Sequence, residues 1–218
     1  IRKRVGDELK PANEGYQRFA RWLNSLTTPE AIAKQRFIDQ PLVNPTMLVR
    51  KRVFEALGAY RSDLDWAEDY DFWLRLLDAG HKITKVPEVL FTWTDHPYRL
   101  TRTNEDYTQD AFTHCKAHFL SKLPRVQDQG VIIGGAGPIG KSMAKALRAC
   151  GTQLHHFYDV HPRRIGETIQ GLQVKSLESI EPSRAVLLGA VGQPGKRKQI
   201  RDLALAHGYT EGEDFFSI

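Results

Sequence analysis

Apolar residues recur with helical spacing in the first part of the chain and form short runs between glycine turns in the last part. Residues 16–23 place apolar side chains on one helical face, and a repeat at every fourth residue from 107 to 119 predicts a long helix that opens at Thr103. Alternation around residues 89–93 predicts a strand, and the apolar stretch 47–49 predicts another. Helices interspersed with short strands indicate an α/β chain.

The segment WAEDYDFWLRLLDAG, residues 66–80, predicts an amphipathic helix that ends at Gly80 and opens with acidic residues. One interpretation of these acids is capping, in which Asp65 caps the helix and Glu68 completes a capping box. Asp69 needs a further explanation, because it lies on the inward-facing stripe, where a carboxylate is costly unless it has a partner or lines a wet cleft. A helix N-terminus that lines a cleft would hold Asp69 ionised, as a general base requires.

A glycine motif stands in the last part of the chain, in VIIGGAGPIG. Gly135, Gly137 and Gly140 have the spacing G-x-G-x-x-G, between a predicted strand and a predicted helix. The next predicted strand ends at Asp159, 19 residues after Gly140, where a ribose-binding acid is expected. This context predicts a Rossmann-like unit that binds a nucleotide phosphate at the helix N-terminus. The alternative is a loop of the same shape that holds no ligand.

Length and composition narrow the class of protein. A chain of 218 residues is comfortable for two domains, and its net charge of +5 is spread along the sequence. Such a surface fits nucleic acid, anionic small molecules or anionic lipid headgroups. Cys115 and Cys150 have no metal-like spacing, which favours a reducing cytoplasm. The sequence has no apolar run near the ~18 residues of a membrane span, and because it opens without Met we expect a fragment.

Residues 44–103 resemble the acceptor-side half of a family 2 glycosyltransferase of the GT-A fold. The matching parts stand in order: an apolar strand with Arg50, a helix ending in LGAYR, the pair Glu68 and Asp69, DFWLRL, and a strand leading to TDHPYRLT. The resemblance implies inverting transfer of a sugar from a nucleotide-sugar donor to a saccharide or lipid-linked acceptor. It further implies that Asp69, with Glu68 beside it, takes the proton of the acceptor hydroxyl.

The same resemblance assigns roles to three residues of the segment TDHPYRLTR. It places His96 near the donor diphosphate and in contact with a metal ion, and it places Arg99 and Arg102 against phosphate. The complete enzyme would then use Mn²⁺ or Mg²⁺. The alternatives are a loop histidine held by Pro97 and solvated surface arginines.

The sequence departs from this family in one large respect. Only 43 mostly polar residues precede Asn44, where such enzymes carry a nucleotide-binding half and a metal-binding Asp-x-Asp. The triplets DLD at 63–65 and DYD at 69–71 do not end a buried strand. We therefore expect a chain that lacks its donor half, is inactive alone, and self-associates through an apolar face at 47–49.

The last part of the chain carries a second resemblance. DVHPRRIG together with GLQV resembles the nucleotide-sugar-binding N-terminal domain of bacterial sugar acyltransferases. The sequence has no Tyr-x-x-x-Lys pair of the short-chain dehydrogenases, so we interpret this part as a binding module for NAD(P) or a nucleotide-sugar.

The predicted fold class is α/β, with a partial GT-A region at 1–102, a helix and linker at 103–127, and a small Rossmann-like parallel-sheet domain at 128–218. The leading functional hypothesis is a truncated family 2 glycosyltransferase, cytoplasmic, associated at most with a membrane surface and without a nucleic-acid partner. The alternatives are an NAD(P)-linked oxidoreductase and a non-catalytic nucleotide-binding protein.

Overall fold

The computed structural model describes residues 2–5, 13–95, 98 and 103–218. The chain divides into two compact units. The first unit comprises Ile1–Arg36 and Gln40–Ala111, and the second comprises Phe37–Asp39 and Phe112–Ile218. The division at 111/112 falls inside the segment 103–127, which the sequence predicts to connect two domains.

Helices and a small parallel sheet make up the described part of the first unit. Its elements are β1 (Arg2–Val5), α1 (Glu14–Ser25), α2 (Pro29–Lys34), α3 (Lys51–Ala56), α4 (Glu68–Asp78) and β2 (Thr92–Asp95), with 3₁₀ turns at Asn44–Thr46 and Glu105–Tyr107. β1 and β2 pair in parallel. β2 covers only the end of the strand predicted around residues 89–93.

Apolar side chains of α4 form the centre of a core cluster in this unit. Phe72, Trp73 and Leu76 are buried there, and partly buried side chains of Met47 and Val49 pack against them. The stretch 47–49 is not a strand, contrary to the prediction. Met47 and Val49 pack against α4 while Leu48 between them is fully exposed. Within the described residues no strand pairs with this stretch.

The two ends of α4 differ from each other in how well the sequence predicts them. The helix begins at Glu68 with Ala67 as its N-cap and has no side-chain cap, so the capping role predicted for Asp65 is wrong. The C-terminal prediction is confirmed. Gly80 has φ +77°, and the amide of His81 donates to the carbonyl of Leu76 at 3.0 Å, which closes the helix in the manner of a Schellman turn.

The long helix predicted from Thr103 starts later than expected. Helix α5 is Gln109–Leu120, and the hydroxyl of Thr108 accepts a hydrogen bond from the amide of Ala111 at 3.2 Å. Thr108 is therefore the residue that caps this helix. The fourfold repeat is confirmed within the helix, because Ala111, Cys115 and Phe119 are all buried.

A six-stranded sheet organises the second unit. After α5 the elements are α6 (Pro124–Gln129), β3 (Val131–Gly134), α7 (Pro138–Ala149), β4 (Leu154–Asp159), β5 (Thr168–Ile169), β6 (Leu172–Ser176), a 3₁₀ turn (Leu177–Ser179), β7 (Val186–Gly189), α8 (Pro194–Ala206) and β8 (Phe215–Ser217). The strand order is β5-β6-β4-β3-β7-β8. All neighbouring pairs are parallel except β5 with β6.

This strand order confirms the predicted α/β class with a Rossmann-like parallel sheet. The chain runs outward from β3 through β4 to β6 and then returns to the other side of β3 for β7 and β8. Such a reversal of strand order opens a crevice at the carboxyl ends of the two strands that flank it, here β3 and β7. The glycine motif follows β3 directly. Among the described helices, none is long and apolar enough to cross a membrane.

Candidate functional site

The glycine loop joins β3 to α7 at the carboxyl edge of the sheet. Gly135 has φ +117°, and a Cβ atom there would lie 2.7 Å from the carbonyl oxygen of Ala190. A Cβ atom on Gly140 would lie 1.8 Å from the carbonyl oxygen of Gly135, because the first turn of α7 crosses the loop closely. Both positions therefore require glycine for the fold itself.

Gly137 differs from the other two glycines of the motif. Its φ is −82°, which any residue adopts. A Cβ atom there would meet one described group within 4 Å, Nη1 of Arg164 at 3.6 Å, which is ordinary van der Waals contact. Neither the backbone nor the described packing around Gly137 requires glycine. The side of the loop at Gly137 carries no side chain and is called the bare face below.

The N-terminus of α7 lies next to that bare face. Gly137 is its N-cap, Pro138 stands in the first turn, and no side chain caps the helix. The first amides of a helix have no partner within the helix, and the helix dipole favours an anion beside them. This combination is the usual backbone site for a phosphate.

Asp159 closes the site from the end of β4, as its spacing from the glycines predicts. Its Oδ2 accepts hydrogen bonds from the amide of Ala136 at 2.8 Å and from Nη1 of Arg164 at 3.0 Å. Its Oδ1 accepts from the amide of His161 at 2.8 Å. Burial alone would raise the pKa of the Asp159 carboxyl, but these donors outweigh burial and hold that pKa below its ordinary value. The group is thus an ionised carboxylate that protein donors already occupy.

Arg164 is a site residue that the glycine motif alone does not indicate. It lies in the loop after β4, and its side chain is 39% exposed while it pairs with Asp159. The signal that could have found it is the pair of arginines four and five residues after the acid in DVHPRRIG. In Rossmann-fold enzymes an arginine near the end of this strand accommodates the ribose 2′-phosphate of NADP, so an arginine here can meet phosphate.

Two of the three basic residues at the start of α8 have other partners. Nε of Arg197 donates to the carbonyl of Val191 at 3.3 Å, and Lys198 pairs with Asp202 at 2.5 Å. Nη1 of Arg164, by contrast, lies 3.6 Å from the position of a Cβ atom on Gly137, which makes Arg164 the candidate cation for a ligand at the glycine loop.

In the first unit the acidic pair at the start of α4 is enclosed by protein groups. Oδ1 of Asp69 accepts from the amide of Tyr70 at 2.8 Å. The carboxylate oxygens of Glu68 accept from the hydroxyl of Tyr107 at 2.9 and 3.1 Å. Burial raises the pKa of the Asp69 carboxyl above its ordinary value, a hydrogen bond from Gln40 opposes this rise, and the charge of Glu68 adds to it. Burial thus acts against the ionised state that the helix N-terminus was expected to favour for Asp69.

Asp71, the third acid of that segment, has a structural role. Its side chain is fully buried and pairs with Arg61 and Arg75. Arg75 also donates to the carbonyls of Leu57 and Ala59, the residues that follow α3. The network therefore fixes the turn after α3 against α4.

The remaining predicted site residues, His96, Arg99 and Arg102, lie outside the described residues. Within the described residues, no group of three or more His, Cys, Asp or Glu side chains is arranged to hold a metal ion.

Comparison with known proteins gives a small set of structural matches. No protein-family model matches the chain, and no curated protein matches it. The solved structures that it resembles include the Rex-family repressor RSP, at 14% identity and a TM-score of 0.34, over 97% of this chain and 88% of that one. RSP with β-NADH matches at 13% identity and a TM-score of 0.33, over 97% and 89%. RSP with β-NAD⁺ and operator DNA matches at 14% identity and a TM-score of 0.34, over 97% and 87%.

These matches correct two predictions made from the sequence. The structures are repressors and not glycosyltransferases, so the prediction of a family 2 glycosyltransferase is wrong. The catalytic roles expected of Glu68 and Asp69 stay predictions from the sequence. One of the repressors was solved with operator DNA, which corrects the prediction that excludes nucleic acid as a partner. TM-scores this low do not carry the repressors' own ligands over to this chain.

Proposed function

We propose that the second unit binds a nucleotide, with the nucleotide's diphosphate against the glycine loop and the N-terminus of α7. The observation that carries this proposal is the bare face at Gly137. Gly135 and Gly140 are explained by the fold, whereas Gly137 has an ordinary φ and room for a side chain. Close approach of a ligand to the loop backbone explains a glycine at that position.

The surroundings of the loop support a phosphate-containing ligand. The uncapped first turn of α7 offers amide donors, and the Arg164 guanidinium lies beside Gly137. NAD, NADP and nucleotide-sugars share the diphosphate that such a loop holds, and the resemblance of DVHPRRIG and GLQV favours the nucleotide-sugars. The chain would bind the nucleotide without changing it chemically and would act as a nucleotide-binding module.

A cytoplasmic location is part of the same proposal. Cys150 is exposed and Cys115 is buried, and neither forms a disulfide. Free thiols persist in a reducing compartment.

Isothermal titration of the full chain with NAD⁺, NADP⁺, ADP and UDP-glucose tests the proposal. We expect the wild-type chain to bind at least one of them below millimolar concentration. Gly137→Leu is expected to weaken that binding by roughly tenfold or more, because its side chain fills the bare face. The matched control is Gly195→Leu in α8, where Cβ has no neighbour within 4 Å.

One outcome would overturn nucleotide binding, and a second would replace the binding module by an enzyme. If none of the four ligands binds the wild-type chain at millimolar concentration, the loop is structural. If a bound nicotinamide is also reduced in the presence of an alcohol or sugar substrate, which absorbance at the nicotinamide band would reveal, the oxidoreductase alternative replaces the binding module.

A further inference from the structure

Arg164 stands directly in front of the bare face of the glycine loop. Its Nη1 is 3.6 Å from the position that a Cβ atom on Gly137 would take. The same Nη1 donates to Oδ2 of Asp159 at 3.0 Å, and this oxygen also accepts from the amide of Ala136 at 2.8 Å. The guanidinium is therefore tied to the loop through the carboxylate of Asp159.

Asp159 has little acceptor capacity left for a ribose. A carboxylate offers about four lone-pair sites, and donors from Ala136, Arg164 and His161 use three of them. At most one site remains, so the carboxylate cannot accept hydrogen bonds from two ribose hydroxyls without losing a donor of its own. The acid that the sequence predicts as a ribose contact is already used to hold the loop.

Electrostatics give Arg164 a second purpose. An ionised carboxylate next to a helix N-terminus repels an incoming phosphate, because the two negative charges would lie in the same partly buried site. The guanidinium offsets that charge. It carries five N–H donors in a planar fork that matches phosphate oxygens, and with 39% of its side chain exposed it can present donors to a ligand while Nη1 stays on Asp159.

We infer that Arg164 contacts the diphosphate of the bound nucleotide, and that Asp159 is a positioning residue that holds Arg164 and the glycine loop in place. The inference rests on the proposed function and names the ligand group that the site selects. Recognition through the diphosphate predicts that nucleoside diphosphates bind whatever their base, and that nucleosides without phosphate bind weakly.

The experiment compares Arg164→Gln, Arg164→Lys and Arg163→Gln by titration of the full chain with ADP, UDP and adenosine. Arg163 is the matched control, because it is the adjacent arginine and its side chain is exposed. We expect Arg164→Gln to weaken ADP and UDP binding by about tenfold or more, as the loss of a charge-assisted hydrogen bond to phosphate predicts. Arg164→Lys should recover part of the loss, and Arg163→Gln should change binding by less than about threefold.

Comparing ADP with adenosine separates a direct contact between Arg164 and phosphate from a structural role of Arg164. Adenosine binding should be the same in the wild type and in Arg164→Gln, because adenosine has no phosphate. Asp159→Asn should weaken ADP binding while Arg164 remains, and it should lower thermal stability, whereas Arg164→Gln should affect affinity more than stability. An equal loss for ADP and adenosine in Arg164→Gln would show that Arg164 acts only through the fold.

Failure of this inference and failure of the proposed function give different results. If the wild-type chain binds ADP or UDP and Arg164→Gln binds them as tightly as Arg163→Gln does, the proposed function stands and the role of Arg164 is wrong. If the wild-type chain binds neither nucleotide at millimolar concentration, both are wrong.

Discussion

The amide of Ala136 lies 2.8 Å from Oδ2 of Asp159, a residue 23 positions later in the chain. This bond joins the glycine loop after β3 to the end of β4. Asp159 stands at the position where a ribose-binding carboxylate is expected. Protein donors nevertheless use three of its acceptor sites, and this bond is one of them. The loop is consequently preorganised, with its amides and one guanidinium fixed before a ligand arrives.

The three glycines of the motif should respond differently to alanine. Gly135→Ala and Gly140→Ala are expected to lower the free energy of unfolding by roughly 1–3 kcal/mol each, because the first adds a side chain at a positive φ and both force contact with backbone oxygen atoms. Gly137→Ala should change it by less than about 1 kcal/mol. Urea titration of the three variants measures their free energies of unfolding and shows whether Gly137→Ala loses the least. A loss at Gly137 as large as at Gly140 would mean that Gly137 is needed for the fold.

The buried carboxylate of Asp71 should matter more for stability than its exposed neighbours. Burial opposes its ionisation, but the guanidinium groups of Arg61 and Arg75 outweigh burial and lower the pKa of Asp71 below its ordinary value of 3.8. Asp71→Asn is expected to cost about 3–5 kcal/mol at pH 7, because it leaves Arg75 without its counter-charge. Asp65→Asn is the control, since Asp65 is exposed and does not cap the helix.

The difference in free energy of unfolding between the wild type and Asp71→Asn should depend on pH, because the pKa of Asp71 is lowered in the folded chain. Below its ordinary pKa the unfolded carboxyl is protonated while the folded one is still ionised, so the stability that ionised Asp71 contributes is present above pH 3.8 and is lost as the pH falls further. The gap in unfolding free energy between the wild type and Asp71→Asn should therefore shrink below about pH 4. A gap that stays constant from pH 7 to pH 3 would contradict the ionised network.

Local patterns in the sequence predicted the second unit well. β3, α7 and β4 follow from an apolar run, a glycine turn and a helical stripe, and each signal depends only on neighbouring residues. The requirement for glycine at positions 135 and 140 was also visible, because the motif encodes the turn and the close crossing of the helix. The saturation of Asp159 was not visible, since it depends on the amides of Ala136 and His161 and on the placement of Arg164 in space.

The first unit shows where local patterns fail. The stretch 47–49 alternates like a strand and packs accordingly, but pairing depends on whether another strand lies beside it. Asp65 precedes α4 at a plausible capping distance, but the helix begins at Glu68 and leaves it exposed. The carboxylates of Glu68 and Asp69, which the sequence offers as catalytic groups, accept hydrogen bonds from the hydroxyl of Tyr107 and the amide of Tyr70, and no local pattern predicts these contacts.

A buried lysine in α5 should make the second unit more stable in mild alkali. Nζ of Lys116 donates to the carbonyl of Ile38 at 2.9 Å, and burial lowers the pKa of Lys116 to about 8, although Asp39 opposes the shift. Between pH 8 and 10.5 the unfolded chain holds this proton and the folded chain does not, so stability rises with pH in that interval. The rise from pH 8 to 9.5 is at most ~2 kcal/mol.

Comparison with Lys116→Met isolates this contribution. The variant should lack the alkaline rise in the free energy of unfolding, while Lys122→Met, which removes an exposed lysine of the following segment, should keep it. Urea titrations of the wild type and both variants at pH 7.5 and 9.5 provide the six values needed. The same rise in all three proteins would assign it to another group.

The most direct test of the central claim is the position of a bound nucleotide on the chain, measured by titrating the ¹⁵N-labelled protein with ADP and following its amide resonances. Nucleotide binding at the glycine loop predicts that the largest shift changes fall on residues 135–141, with a second group on 159–164 and little change in α4. Saturable shifts centred on any other surface, or no shifts at millimolar ADP, would contradict it.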